Sequence, residues 1–251
     1  MTSESLLSDS AVKSQPAERG PAGTALFGTG AVVVWNDVAP EGRERFYEWH
    51  DKEHIPERLA IPGFRRGRRY ISAGHSPEWL TLYEADDIDV VTSREYLARL
   101  NSPTPQTAQT LRYFRNTSRA VCRLVHSVGS SSGGHVLAMR VDVPPGQGDT
   151  LSRCLRMDVF PRSMALAGIV ACHLYAADEA ASFTSTAESK TREFDVPNWV
   201  VLVEATRPQA AQHVRALVEA PDLHGAGIVV RGDAAVYSLE ICRLSPPANA
   251  S

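Results

Sequence analysis

Apolar positions along the chain follow two different periods, and the order in which those periods alternate is the first structural signal. AVVVWND (31–37) is an apolar run suited to a buried strand. Pro40 opens an amphipathic pattern that runs to about Ile55, where Pro56 and the Pro62-Gly63 turn are expected to end the helix. FRRGRRYIS, from Phe64, and EWLTLYEA, from Glu78, read as second and third strands joined by a turn over 74–77. A broken helix follows as SREYLARL and PQTAQTLRYF, interrupted by Pro103 and Pro105, and FRNTSRAVCRL gives a last strand. Strand, helix, strand, strand, helix, strand is the order of a ferredoxin-like unit.

The same pattern then recurs. Asp37-Val38-Ala39-Pro40 is echoed 105 positions later by Asp142-Val143-Pro144-Pro145. IPERLAIPGF (55–64) faces FPRSMALAGI (160–169) at that offset, and Tyr70 faces Tyr175. Further on the offset is 120: PEWLTLYEA faces PNWVVLVEA, and VCRL from Val121 faces ICRL from Ile241. The change of 15 places one longer loop in the second copy, around 177–196. SVGSSSGG (127–134) has linker composition. The expected organisation is α+β: a disordered tail 1–28, a ferredoxin-like repeat 29–126, a linker 127–134, a second repeat 135–244 and a tail 245–251. A single unit leaves one sheet face open, so the two βαββαβ repeats are expected to close into an intramolecular α/β barrel.

Charge narrows the partners. With 26 basic and 29 acidic side chains the net charge is −3, which points to neither nucleic acid nor an anionic membrane as a partner. No stretch reaches the roughly 18 apolar residues of a membrane span, and the polar start lacks a secretory pattern, so a cytoplasmic location is expected. The four cysteines (Cys122, Cys154, Cys172, Cys242) lack metal-ligand spacing and read as buried reduced thiols.

RFYEWHDKEHIPERLAIPGFRRGRRY (45–70) resembles the dimeric α/β-barrel superfamily, particularly its EthD-like members. They often carry a His-x-Pro element at the end of the first helix, a Pro-Gly-Phe turn and an Arg-rich strand. Here these are His54-Ile55-Pro56, Pro62-Gly63-Phe64 and residues 65–70. The resemblance implies the barrel fold and small-molecule chemistry. It leaves the reaction open, because that superfamily hosts isomerases, dehydratases, cofactor-free monooxygenases and haem proteins.

The repeat supplies an internal control. Phe46, Trp49, His50, Glu53 and His54 share one helical arc, and their counterparts are Leu151, Cys154, Leu155, Asp158 and Val159. Placing two imidazoles where the second copy is apolar costs free energy unless they find partners, which marks a site. The strands agree: Asn36 faces Val141, Tyr83 faces Val203, Arg65 faces Val170 and Arg69 faces Leu174. His54 is the candidate general base and acid, with His50 assisting. Tyr83, Arg65, Arg69, Asn36 and Trp35 are the candidate substrate-binding residues. His50-Asp51-Lys52-Glu53-His54 also fits a short zinc pattern, with Glu57 as a third ligand, but the repeat explains the segment without a metal. The expected function is a cofactor-independent, metal-free lyase or isomerase acting on a small aromatic or polyketide-like molecule. The alternatives are a cofactor-free monooxygenase of an electron-rich phenol and a non-catalytic ligand-binding protein. Pairing of the whole chain into a homodimer is open.

Overall fold

The computed structural model describes residues 23–218 and 229–247. Eight strands are assigned: β1 (Gly30–Val38), β2 (Phe64–Ile71), β3 (Trp79–Ala85), β4 (Phe114–Val128), β5 (His135–Asp142), β6 (Ile169–Ala177), β7 (Trp199–Ala205) and β8 (Val229–Leu244). They form one closed barrel in the order β4-β1-β3-β2-β8-β5-β7-β6, returning to β4. Every pairing is antiparallel. The two long strands lock the halves together: β4 pairs with β1 and β6, and β8 with β5 and β2. Closure removes the sheet edges that either half alone would expose.

β3 is buried at all seven positions, because a barrel wall is covered on both faces. Inward residues from both halves, including Trp35, Tyr70, Leu80, Tyr175 and Tyr237, fill the interior. A charged cluster sits among them. Arg68 reaches Glu204 at 2.8 Å and Glu84 at 2.9 Å, Arg66 also pairs with Glu84, and His173 Nε2 lies 3.4 Å from Glu204. Segments expected as tail and linker are tied to this cluster. Phe27 N–H donates to Glu84, Gly133 N–H to Glu204, and Leu26 is buried in the interior. Residues 1–22 of the expected tail, and 248–251 at the other end, lie outside the described residues.

The helices pack on the outside of the barrel. In the first half they are α1 (Arg43–Trp49), α2 (Ile55–Leu59), α3 (Arg94–Asn101) and α4 (Pro105–Thr110). Ser93 and Thr104 cap α3 and α4, accepting the amide protons of Tyr96 and Thr107. In the second half they are α5 (Gly148–Cys154), α6 (Phe160–Met164), α7 (Glu179–Ser182) and α8 (Pro208–Val218). No helix among the described residues is long and apolar enough to cross a membrane.

The first helix does not end at Pro56. A π turn, His50–His54, joins α1 to α2, with Ile55 N–H donating five residues back to His50. Proline removes a donor and its ring crowds the carbonyl four residues earlier. A wider turn accommodates both defects, so the helix runs on to Leu59. The second half repeats the device: Leu155–Val159 is a π turn and Pro161 lies just beyond it. Cys242 corrects the thiol expectation, being exposed, whereas Cys122 and Cys172 are buried.

Candidate functional site

The π turn decides which side chains line up. His50 and His54 stack with ring centroids 5.6 Å apart and an interplanar angle of 22°. Phe46 stacks on the far face of the column at 5.1 Å from His50, and Trp49 packs 4.2 Å from His54. Continuing the helix past Pro56 adds Arg58 one turn further on, and its side chain is 3% exposed. Together they face β1 and β3 across a cavity of about 50 Å³ lined by Val32, Val34, Asn36, Thr81 and Tyr83. Gly67 lets the walls approach, since a Cβ there would lie 3.1 Å from the Tyr83 ring and 3.2 Å from Ile55.

In the second half the same positions are filled. Leu155 and Val159 pack with Leu137, Met139, Val141, Val201 and Val203 into continuous apolar core. These are the counterparts of His50, His54, Val32, Val34, Asn36, Thr81 and Tyr83 at the two repeat offsets. Ser163 stands where the first half has Arg58, and its hydroxyl bonds back to Val159. The cavity therefore opens over first-half positions whose second-half counterparts are packed.

The two histidines differ in their partners. Arg69 Nη1 lies 3.0 Å from His50 Nδ1, and the Tyr83 hydroxyl lies 3.3 Å from its Nε2. Guanidinium can only donate, so Nδ1 is the acceptor and the ring proton resides on Nε2. That proton is donated to the Tyr83 oxygen, which leaves the phenolic hydrogen free for another partner. Arg69 is itself held by Asp51 at 2.5 Å and Glu240 at 2.8 Å. His54 lines the cavity, and its buried Nδ1 has no hydrogen-bond partner.

Electrostatics keep both rings neutral. Burial pushes the pKa of His50 well below 6.5, and the charges of Arg69 and Arg58 push it further. Burial does the same for His54, followed by Arg58, His50 and Arg192. Burial raises the Tyr83 phenol far above its usual value, so it remains a hydrogen-bond donor. The arrangement thus offers a neutral imidazole with an unengaged nitrogen, a buried phenol and a guanidinium beside one apolar cavity.

Of the expected site residues, the structure brings together His50, His54, Tyr83 and Asn36 around the cavity and places Arg69 directly behind His50. Two lie elsewhere. Trp35 points into the barrel, because strand residues alternate faces and Val34 and Asn36 take the cavity side. Arg65 is half-buried and holds Asp86 in a bidentate pair at 2.6 Å, off the cavity wall.

Four charged lining residues were not anticipated: Arg58, Arg119, Glu188 and Arg192. Arg58 was hidden by reading Pro56 as a helix end. Glu188 and Arg192 come from the second half, on the long connection between β6 and β7, so the 15-residue change of offset was their signal. This connection lies along the first half. Asp178 N–H donates to Val121, Glu188 N–H to Leu100, and the backbone of β4 exchanges bonds with Asp195. Ser182 Oγ accepts Val121 N–H at 2.9 Å. At its end the Glu188 carboxylate takes a hydrogen bond from Arg58 Nη2, while Arg58 Nη1 makes no hydrogen bond but lies 3.8 Å from the Glu57 carboxylate, and Arg192 Nε is buried without a hydrogen-bond partner.

The residues present do not fit a zinc ion. Arg69 occupies one nitrogen of His50, the Nε2 proton faces Tyr83, and Glu57 pairs with Arg99 at 3.2 Å. Among the described residues no group of three or more His, Cys, Asp or Glu is arranged to hold a metal.

No family model matches the chain, and no curated protein matches its sequence. Solved structures do resemble it. An anthrone oxidase-like protein superposes with a TM-score of 0.59 at 12% identity, covering 88% of this chain and 95% of its own. A Fusobacterium nucleatum protein assigned as a monooxygenase gives 0.51 at 8% identity, with the same two coverages of 88% and 95%. A protein assigned as a chlorite dismutase gives 0.50 at 14% identity, covering 84% and 94%. At these identities the similarity concerns the fold: the chain is an α+β protein with the closed eight-stranded architecture of the dimeric α/β-barrel proteins.

Proposed function

We propose that this chain is a cofactor-independent acid–base enzyme that removes a proton from a small phenolic or enolisable molecule, with His54 as the base. In this reading the halves are tandem ferredoxin-like copies, of which the first carries the chemistry and the second completes the barrel and caps the cavity. The observation that carries the reading is the unengaged Nδ1 of His54, on a ring held neutral at the cavity wall. A neutral buried imidazole is ready to accept a proton, and the nearby guanidiniums favour the anion left on the substrate. Arg58 Nη1 and the free hydrogen of Tyr83 are the groups suited to hold that oxyanion. His50 then serves by positioning Tyr83 rather than by accepting a proton.

The anion has two continuations. Expulsion of a leaving group or reprotonation elsewhere gives a lyase or isomerase. Reaction of the carbanion with O₂ gives a monooxygenase, and the similarity to an anthrone oxidase-like protein favours this branch. For an anthrone the balance needs no added reductant. The ring CH₂ becomes a carbonyl, one oxygen atom enters the product and the other leaves as water.

Oxygen-electrode measurements with anthrone, on metal-free wild type and His54→Ala, test the proposal. Stoichiometric uptake that is lost in the variant supports the oxygenase branch. Conversion without uptake, in a panel of enolisable substrates, redirects the proposal to the lyase or isomerase branch. Binding without turnover across the panel would leave only a ligand-binding protein.

A further inference from the structure

A second cavity of about 40 Å³ lies beside the first, between α3 and the β6–β7 connection. Tyr96, Leu100, Arg119, Glu188 and Arg192 line both, so they form a shared wall. Its outer side combines apolar Val91, Leu97, Ala181 and Phe194 with the hydroxyl residues Thr92, Thr184, Thr186 and Ser189. The wall itself is charged and out of balance. Arg58, Arg119 and Arg192 converge there, and Glu188 is the one carboxylate among the lining residues of either cavity. Glu188 is engaged by Arg58. Arg119 reaches the Tyr96 hydroxyl at 3.2 Å and the Ser182 carbonyl at 3.4 Å, neither of which is anionic. Arg192 Nη1 donates to the Glu188 carbonyl at 3.5 Å, its Nε is buried without a hydrogen-bond partner, and its guanidinium lies 5.3 Å over the Phe114 ring.

Arg119 and Arg192 are half-buried and have Glu188, already engaged by Arg58, as the one carboxylate lining the site, so a bound anion would gain charge-assisted hydrogen bonds there. We infer that the two cavities form one binding site for a molecule bearing a permanent carboxylate, held by Arg119 and Arg192, with an apolar part in the outer cavity and the reacting carbon beside His54. Burial, aided by Arg119 and Arg58 and opposed by Glu188, depresses the Arg192 pKa to about 10. The second half thereby supplies specificity to a site whose base lies in the first. This inference deepens the acid–base reading and rests on it for the place of the reacting carbon.

Calorimetric titration with salicylate and its neutral isostere salicylamide tests it without requiring turnover. The acid is expected to bind at least about tenfold more tightly than the amide, and Arg192→Gln or Arg119→Gln to abolish that preference. His54→Ala should keep it. Equal affinities for acid and amide in the wild type, or an unchanged preference in both arginine variants, would overturn the inference. Thermal melts establish that each variant is folded, and Arg192→Lys, retaining the charge, should retain part of the preference if Arg192→Gln does not fold. Acid preference without turnover would sink the catalytic reading alone, whereas turnover without acid preference would sink this one alone.

Discussion

Arg69 donates to Nδ1 of His50 at 3.0 Å, and this one contact distinguishes two histidines that stand four residues apart on the same helix. A ring whose lone pair is taken by a guanidinium cannot also take a substrate proton. His54, with an unengaged Nδ1, can.

The first prediction follows from that asymmetry. His54→Ala should lower kcat/KM by about 10²–10⁴-fold, the range typical of a lost general base. His50→Ala should cost less, about tenfold, because it loosens Tyr83 without removing the base. Steady-state kinetics on both variants, with circular dichroism to confirm folding, checks the order. A larger loss in His50→Ala would reverse the assignment.

Both histidines are neutral in the fold, with pKa values depressed below 6.5. Below pH 6.5 the unfolded chain therefore binds protons that the folded chain does not, and stability falls as pH falls through that window. Activity should persist below 6.5, since His54 remains unprotonated, and its acid limb should lie below the value for free imidazole. His50→Leu/His54→Val, which copies Leu155 and Val159, should be inactive and should show a shallower loss of stability on acidification. Urea unfolding at a series of pH values reads both slopes, and identical slopes would contradict the burial argument.

Arg58 and Glu188 join the two halves through a buried ion pair. Removing the cation alone in Arg58→Met leaves a buried carboxylate and should cost about 3–5 kcal/mol. Arg58→Met/Glu188→Leu should recover much of that loss while remaining inactive. A double-mutant cycle by urea denaturation measures the coupling, and additive losses would show that the pair is not coupled.

Pro56 is the cause assigned to the π turn. Pro56→Ala restores an N–H and permits regular α-helical bonding, which turns His50 and His54 out of their stack. The variant should melt no lower than the wild type yet lose about tenfold or more in turnover, because the base is misplaced. Unchanged turnover would mean that the stacked geometry is not needed.

Much of this architecture was legible before any coordinates. Period and order gave the strands, and the offsets of 105 and 120 predicted that helix and strand positions would correspond, as they do for α1 with α5 and β3 with β7. Comparing the halves picked out His50, His54, Tyr83 and Asn36, because a cavity requires polar groups where its counterpart is packed. Trp35 was misdirected because an apolar run on a doubly covered strand hides which face each residue takes. Arg58 was obscured because proline's usual effect, ending a helix, competes with a wider turn that tolerates it. Arg192 could not be found by the internal control at all, since an insertion has no counterpart to compare.

The most direct test of the central claim isolates proton removal from whatever follows it. Anthrone and its 2-carboxylate are incubated anaerobically in D₂O, and exchange at the acidic carbon is followed by NMR with wild type and His54→Ala. Acceleration over buffer by the wild type, lost in the variant, is the predicted result. Exchange no faster than buffer for both compounds, or equally fast with His54→Ala, would contradict the account.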